Sequence, residues 1–467
     1  MNTKIQKFLK NFSRVTLVNL FSMIITAFLT FFAPKIIDME SFGYWQIFVF
    51  YLGYTGFFHF GWNDGIYLRY GGKQYEELNK ELFFSQYIME LLLESIISVL
   101  IIIVSYNCIS DLNLKNIWYI ISICSLLGNM RYMLIYILQT TSKISEYIRI
   151  LFIDRATYIL YIFIFFILKK ITYNTFIMAE LTGRLVSFLY AIYICKDITM
   201  HSIKNFSFSF VEMKKNILVG SKLMFANIAS LLIIGIVRFG IEKNWSVETF
   251  GQISLTITLS QLFVTFINAI GIILYPSLCN LNKKELKKYY LKLHLLIQVF
   301  VFFILSFYYP LSVFLKEWLP NYSVSLDYMA ILFPLCLFEC KMALLNNTYL
   351  KVLRKEKMIL TINLITVLFS GLLTLFSTFL LKNLELAVIS ILFLIWFRCD
   401  FSEIYLSKEL NTKINFDKIC ENILVVIFII SNSIFCGWFG FSIYIIFFCI
   451  YIMIYRNKIK NIINYKG

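Results

Sequence analysis

Long apolar runs, separated by short polar segments, dominate the chain. Each run has roughly 20 residues, enough for an α-helix to cross a hydrocarbon layer of ~30 Å. Lipid cannot satisfy exposed backbone groups, and the runs lack the alternation of barrel strands, so they predict an all-α polytopic membrane protein. Fourteen predicted spans lie at 13–34, 42–63, 82–105, 116–139, 147–168, 172–195, 216–240, 250–276, 289–315, 326–349, 357–381, 386–406, 419–437 and 439–455.

A short turn occurs twice, 208 residues apart. The sequence MESFG at 39–43 opens the second run, and VETFG at 247–251 opens the eighth. Ser41 and Thr249 are predicted N-caps of those helices, since serine and threonine favour that position. Six spans in each half would bring both halves into the membrane in the same orientation, which predicts a parallel repeat.

This repeat divides the chain into predicted domains. Residues 1–195 form an N-terminal six-helix bundle, and residues 216–410 form a C-terminal six-helix bundle. The connection 196–215 is predicted to be a cytoplasmic linker, either an aromatic segment lying against lipid headgroups or a plain polar tether. Residues 411–467 add two helices, which could also form one re-entrant hairpin, and a basic cytoplasmic tail.

The composition agrees with a membrane protein and indicates its orientation. The chain is 60% hydrophobic, 15% charged and has a net charge of +16. On one side of the predicted membrane, loops and tails hold 29 of the 43 lysines and arginines, whereas the opposite loops hold seven. The positive-inside rule therefore predicts that both termini are cytoplasmic. The charge is a topology signal, and no basic segment is organised as a nucleic-acid reader.

Several function classes lack their usual signatures. No loop is much longer than about 20 residues, and there is no Walker sequence for ATP hydrolysis. The ten cysteines lie mostly in apolar runs, where they act as small hydrophobes. Cys336 and Cys340 share a helix face, but no further ligand completes a zinc set near them. We therefore expect neither a resident metal nor another cofactor.

Seven cations fall inside predicted spans, where each costs about 2.5–3.5 kcal/mol on an insertion scale. They are Arg131, Arg155, Arg184, Lys222, Arg238, Lys341 and Arg398. Such groups should face a water-filled interior or pair with an acid, and ion pairs that lock helices together are the alternative to a binding role. The acids near them in sequence are Asp154 beside Arg155, Glu180 one turn from Arg184, Glu339 near Lys341 and Asp400 near Arg398.

Cations also recur at matching depth in the two halves. The pairs are Arg14 with Lys222, Arg131 with Lys341, and Arg184 with Arg398. If both halves line one central cavity, these groups predict a site for an anionic substrate such as a phosphate or pyrophosphate. The predicted substrate-binding residues are Arg14, Arg131, Arg155, Arg184, Lys222, Lys341 and Arg398.

Acids inside or beside the spans could carry a coupling proton or sodium ion. The predicted coupling residues are Asp64, Asp154 and Glu339, although Asp64 could instead end the second helix as a cap. Glu90 and Glu94 are one turn apart in the third span. They could line the cavity or only bond neighbouring helices.

The segments 38–44 (DMESFGY) and 60–72 (FGWNDGIYLRYGG) resemble the polysaccharide-export flippases of the MATE-like (multidrug/oligosaccharidyl-lipid/polysaccharide) superfamily. In that family a Leu-Gly pair begins the first motif, where this chain has Ile37 and Asp38. The resemblance implies a V-shaped pair of six-helix bundles around a cationic cavity. Its basic residues would correspond by position to Arg14, Arg131, Lys222 and Lys341.

The resemblance also implies a function. By alternating access, such a flippase moves an undecaprenyl-pyrophosphate-linked oligosaccharide to the outer leaflet of the bacterial cytoplasmic membrane, for O-antigen or capsule. Its partners would be this glycan lipid, membrane lipids and the polysaccharide polymerase or export machinery. Fourteen spans also resemble the peptidoglycan-precursor flippase, which leaves lipid II as a cargo.

Two alternatives remain open at this point. A multidrug cation antiporter of the same fold would carry cationic cargo, whereas the paired sites here are basic. A membrane polysaccharide polymerase or ligase would be an enzyme, but the longest outer loop has about a dozen residues and no convergent acid and base. We therefore expect a transporter and no catalytic residues.

Overall fold

The computed structural model describes residues 3–202, 204, 206–279, 281–412, 415–435 and 437–463. Throughout these residues the regular structure is helical, which confirms the predicted all-α class. Helices occur at all fourteen predicted spans. Among the described residues, ten helices are long and apolar enough to cross a membrane.

The chain packs into two compact units, Met1–Ile228 and Ala229–Gly467. The first contains α1 (Thr3–Ile36), α2 (Met39–Leu52), α3 (Trp62–Arg69), α4 (Lys80–Cys108), α5 (Leu112–Thr140), α6 (Ile144–Ile167), α7 (Tyr173–Ile194), α8 (Lys196–Thr199) and the start of α9 (Phe210–Asn244). The second contains the rest of α9, α10 (Val247–Cys279), α11 (Lys283–Ser306), α12 (Tyr308–Trp318), α13 (Ser323–Leu332), α14 (Leu335–Lys341), α15 (Asn347–Val352), α16 (Glu356–Thr374), α17 (Leu384–Glu409), α18 (Asn415–Ile434) and α19 (Trp438–Ile463).

The two repeated turns each start a helix at the same register, because α2 begins at Met39 and α10 at Val247. The predicted caps are wrong by three residues. Asp38 caps α2, since its Oδ2 accepts a hydrogen bond from the Ser41 backbone nitrogen at 2.9 Å. Ser246 caps α10 in the same way, since its Oγ accepts a hydrogen bond from the Thr249 backbone nitrogen at 3.3 Å. The turns therefore place Ser41 and Thr249 in the first helical turn.

The second predicted span is broken. Helix α2 ends at Leu52, a single 3-10 turn follows, and α3 starts after Gly61, which has a φ of 83° that favours glycine. A Cβ on Gly65 would lie 1.9 Å from the Asn216 carbonyl oxygen of α9. The glycines thus allow α3 and the start of α9 to touch backbone to backbone.

The tenth predicted span is also irregular. Pro334 separates α13 from α14, and a π-helical stretch at Met342–Asn346 connects α14 with α15. Proline removes a backbone donor, which explains a break at this point. Within Ser325–Val352 an 18-residue apolar window is nevertheless 78% buried, and the corresponding window of α5 in the first unit is 72% buried. Among the described candidate spans, these are the two most deeply enclosed, and they carry Lys341 and Arg131.

The predicted linker contacts the first unit. The Ser207 backbone nitrogen donates to Ser85 Oγ at 3.1 Å, and Gln86 Nε2 donates to the Ser209 carbonyl at 3.3 Å. Both partners belong to α4. The boundary between the compact units falls inside α9, because the first turns of that helix pack on α3.

Candidate functional site

Five charged side chains of the first unit form one connected group, which we call the arginine network. It comprises Arg131 of α5, Asp154 and Arg155 of α6, and Glu180 and Arg184 of α7. Asp154 lies 2.9 Å from Arg131 and 3.4 Å from Arg155. Glu180 lies 3.3 Å from Arg155 and 2.9 Å from Arg184. Three helices are therefore joined by alternating charges.

Small residues make room for this network. A Cβ on Gly183 would lie 2.8 Å from the Asp154 carbonyl oxygen, so α6 and α7 approach closely there. A Cβ on Gly128 would lie 2.7 Å from Arg184 Nη1, so this glycine leaves space for the guanidinium group. Arg184 Nη1 also donates to the Cys124 carbonyl at 3.0 Å.

The network carries an excess of positive charge. Its three guanidinium groups face two carboxylates, so its formal charge is +1. Arg131 is only 2% exposed and donates to Ser187 Oγ at 2.8 Å. The Arg155 side chain is 32% exposed and is the most accessible of the five. The network can therefore present one guanidinium group to an anion while the others hold it in place.

A second group, which we call the lysine cluster, lies in the second unit. It comprises His294 of α11, Lys341 of α14, Glu403 of α17 and Glu421 of α18. Lys341 Nζ lies 2.5 Å from Glu403 and 2.7 Å from Glu421, and His294 Nε2 lies 3.4 Å from Glu403. All four residues are almost fully buried.

Neutral side chains complete the lysine cluster. Gln298 Nε2 donates to Glu421, and the Tyr451 hydroxyl donates to Gln298 Oε1 at 3.2 Å. The ligand atoms of His294, Glu403 and Glu421 lie within 4.8 Å of one another, a spacing that suits a metal ion. Here the Lys341 ammonium group bonds both carboxylates, so it supplies the positive charge that such a site requires.

The structure corrects two predicted acid partners. Glu339 does not pair with Lys341 but lies 3.6 Å from Arg398, and Asp400 pairs with Lys418 instead of Arg398. Residues two positions apart on a helix point in different directions, which explains both differences. Arg398 also donates to Asn363 and to Ser230, at 3.0 and 2.9 Å. The predicted pairs Asp154–Arg155 and Glu180–Arg184 are present.

The remaining predicted residues have separate environments. Arg14 belongs to α1, but its side chain lies outside the described residues. Lys222 is exposed on α9. Asp64 is buried at the start of α3, where its Oδ2 lies 3.9 Å from His59 Nε2. Of the predicted coupling residues, Asp154 and Glu339 are thus engaged with arginines, and Asp64 with a histidine.

Sequence reasoning missed three members of the lysine cluster. His294 has no acid in its own predicted span, Glu403 lies near the predicted end of its span, and Glu421 belongs to one of the two added helices. Their shared signal is an ionisable group inside an apolar run, the same signal that identified Lys341. Glu421 shows that α18 contributes to the core of the second unit and is more than an addition to it.

The sequence matches no protein-family model and no curated protein. The fold is similar to that of the lipid II flippase MurJ, with a TM-score of 0.64, 16% sequence identity, and coverage of 95% of this chain and 99% of that one. It is also similar to an inward-facing multidrug resistance MATE family transporter of the MOP superfamily, with a TM-score of 0.59, 12% identity, and coverage of 83% and 98%. A MATE protein in complex with MaD3S is similar as well, with a TM-score of 0.54, 12% sequence identity, and coverage of 86% of this chain and 96% of that one. These structures are transporters and a flippase that share this fold.

Proposed function

We propose that the protein is a flippase that moves undecaprenyl-pyrophosphate-linked oligosaccharide repeat units across the bacterial cytoplasmic membrane for surface polysaccharide. The fold is one used by a lipid II flippase and by MATE transporters. Alternating access of the two units would carry the pyrophosphate headgroup, while the prenyl chain stays in lipid. O-antigen or capsule would be the product that such units build.

The observation that carries the proposal is the surplus charge of the arginine network. A pyrophosphate needs charge-assisted hydrogen bonds, and arginine provides them in a planar fork. Arg155 is the member that can turn toward a ligand, because about a third of its side chain is exposed. Arg131 holds Asp154 in place from the buried side at 2.9 Å.

The burial of Arg131 and Lys341 makes these two residues unsuitable for testing the proposal. Replacing both Arg131 and Lys341 would remove buried ion-pair partners and leave carboxylates without a counter-charge. Such variants would lose stability whatever the substrate is. Arg155 is better suited, since Asp154 and Glu180 each keep another arginine when Arg155 is replaced.

The test is transport of a lipid-linked pyrophosphate oligosaccharide in proteoliposomes containing the purified protein. We expect Arg155→Gln to lower the transport rate about tenfold or more, because a hydrogen bond to a charged group contributes roughly 1.5–3 kcal/mol. Arg149→Gln is the matched control, since Arg149 is an exposed arginine on the same helix outside the network. Equal rates for both variants would refute the role of the network.

A cellular experiment tests the cargo itself. In a strain lacking the gene, lipid-linked repeat units should accumulate on the cytoplasmic face of the membrane. Normal surface polysaccharide in that strain would overturn the proposal.

A second candidate is a multidrug cation antiporter. The observation in its favour is the lysine cluster, whose two carboxylates outnumber its one ammonium group. The arginine network argues against it, because its excess charge repels a cation. Overexpression that raises resistance to cationic drugs, without any transport of the glycan lipid, would favour this alternative.

A further inference from the structure

A cavity of about 340 Å³ opens in the second unit, and its lining includes no member of the lysine cluster. Its walls come from α12, α13 and the adjoining ends of α17 and α18. The volume falls within the range of small-molecule sites, about 300–1,000 Å³. At this place α12 and α18 end, whereas α13 and α17 begin. On the topology that the lysines and arginines predict, this end of the helices faces the outside of the membrane.

The inner wall of the cavity is polar and held in place by hydrogen bonds. Asn432 Nδ2 of α18 donates to the Tyr309 hydroxyl at 3.1 Å, and that hydroxyl donates to the Gly440 carbonyl at 3.1 Å. Ser312 Oγ donates to the Tyr309 carbonyl at 2.9 Å. Asn432 and Tyr309 are only 9% and 3% exposed. Because these groups are already ordered, a ligand that enters the cavity has little entropy cost to offset in the protein.

The rim of the cavity carries accessible charges and one accessible aromatic ring. Lys316 Nζ pairs with Asp327 at 2.8 Å, and both side chains are exposed. Glu385, in the first turn of α17, is exposed and also lies on the rim. Tyr328, next to Asp327 on α13, is half-buried. The rim therefore offers one ammonium group, two carboxylates and an aromatic face to a ligand.

This set of groups selects the chemistry of a ligand. One ammonium group and two carboxylates give the rim a formal charge of −1, which disfavours a phosphate or another anion. A calcium ion needs six to eight oxygen ligands, and Lys316 already neutralises Asp327. A molecule with many hydroxyl groups fits better, because carboxylates accept the hydrogen bonds that hydroxyl groups donate. The negative face of a tyrosine ring also attracts the polarised C–H groups on one side of a pyranose ring.

We propose that this cavity binds an uncharged pyranose sugar on the outer side of the second unit. Glu385 accepts hydrogen bonds from the sugar hydroxyl groups, and the ring of Tyr328 packs on the C–H face of the sugar. If the protein moves a lipid-linked oligosaccharide, this sugar belongs to cargo that has already crossed the membrane, and the cavity is a site on the release side. That last link rests on the proposed function, whereas sugar binding by the cavity does not.

The test of binding is saturation-transfer NMR with the purified full-length protein in lipid nanodiscs, since detergents with sugar headgroups would compete for the cavity. The probes are the methyl glycosides of glucose, galactose, mannose and N-acetylglucosamine, with glucuronic acid as the anionic comparison. We expect saturable transfer to at least one neutral glycoside, strongest at the protons of its C–H face. Glucuronic acid should bind more weakly than that glycoside.

Variants of the rim locate the binding site. Glu385→Gln should weaken binding of the glycoside roughly tenfold, because the sugar loses a hydrogen bond to a charged group. Tyr328→Ala should weaken binding roughly fivefold, whereas Tyr328→Phe keeps the ring and should bind nearly as well as the wild type. Glu317→Gln is the matched control, since Glu317 is an exposed acid on α12 that does not line the cavity. These side chains are exposed or half-buried, so all four variants should fold, which thermal unfolding checks.

Three results would overturn sugar binding by this cavity. The first is wild-type protein that binds none of the four neutral glycosides. The second is equal binding of the glycoside by Glu385→Gln, Tyr328→Ala and Glu317→Gln. The third is tighter binding of glucuronic acid than of every neutral glycoside, which would contradict the charge of the rim.

Transport distinguishes the sugar of the cargo from a free saccharide. If the cavity receives the cargo, Glu385→Gln should slow the transport of lipid-linked oligosaccharide in proteoliposomes, and Glu317→Gln should not. Weak sugar binding by Glu385→Gln together with transport at the wild-type rate would overturn the link to the cargo and assign the cavity to a free saccharide. Failure of the flippase proposal would instead appear in the Arg155→Gln test, and it would leave sugar binding in nanodiscs unchanged.

Discussion

Replacing Asp154 with asparagine removes one of the two carboxylates of the arginine network while preserving the size of the side chain. Asp154 lies 2.9 Å from Arg131 and 3.4 Å from Arg155. Arg155 keeps Glu180 at 3.3 Å, whereas among the described residues Asp154 is the acid that forms an ion pair with Arg131, which is 2% exposed. The variant therefore removes the direct ion-pair partner of a buried guanidinium group.

The magnitude follows from the burial of Arg131. Breaking a buried ion pair by removing one partner costs about 3–5 kcal/mol. For a unit of this size that corresponds to a fall in melting temperature of roughly 6–20 °C, at about 2–4 °C per kcal/mol. Arg131→Met should cost less, because Asp154 then still has Arg155 and the remaining network has two cations and two acids.

The assay is thermal unfolding of the purified variants in detergent, followed by loss of the monodisperse gel-filtration peak. The double variant Arg131→Met with Asp154→Asn should melt above Asp154→Asn alone, since it no longer contains the unpaired arginine. If Asp154→Asn melts as high as Arg131→Met, the assignment of Asp154 as the counter-charge of Arg131 is wrong.

Two further predictions concern local packing and capping. Gly65→Ala should destabilise the protein strongly, because the added Cβ would lie 1.9 Å from the Asn216 carbonyl oxygen. The Cβ of Gly371→Ala would meet nothing within 4 Å, so this variant should stabilise helix α16 by roughly 0.5–1 kcal/mol. Thermal unfolding of both variants tests these two expectations. Asp38→Ala should cost about 1 kcal/mol by removing the N-cap of α2. The hydrogen bond from the Ser41 backbone lowers the pKa of Asp38. The loss of stability caused by Asp38→Ala should therefore be present at neutral pH and vanish as the pH falls through the lowered pKa. A loss of stability that persists in acid would contradict this assignment.

The helices were predictable because their signal is local. A run of apolar residues is recognisable without knowing its neighbours, and all fourteen runs correspond to helices. The repeated turns were also recognisable, and they start α2 and α10 at the same register. The cap itself was assigned three residues late, because serine, threonine and aspartate are all acceptable caps and only the backbone path decides among them.

The breaks within helices were harder to predict, because hydropathy does not report them. Gly61 directly precedes α3 and has a left-handed conformation, within a stretch whose apolar character continues across the break. Pro334 interrupts the tenth predicted span in the same way. At the first break another helix supplies a hydrogen bond, because Asn129 of α5 donates to the Thr55 carbonyl.

Ion-pair partners divide into local and distant cases. Glu180 and Arg184 are four residues apart on α7, where helix geometry alone makes them neighbours. Lys341 instead bonds Glu403 and Glu421, which are 62 and 80 residues further along the chain. No linear pattern connects these residues, and only the packing of α14 against α17 and α18 brings them together.

The two units surround their matching cations with different acids. Arg131 and Lys341 occupy matching positions on the most enclosed span of each unit. Arg131 belongs to a network with a formal charge of +1, whereas Lys341 belongs to a cluster in which two carboxylates face one ammonium group. The proposed pyrophosphate headgroup would be attracted more by the first than by the second, so substitutions that remove accessible positive charge should impair its transport only in the first unit. The acidic neighbours of each cation thus decide what that cation can bind.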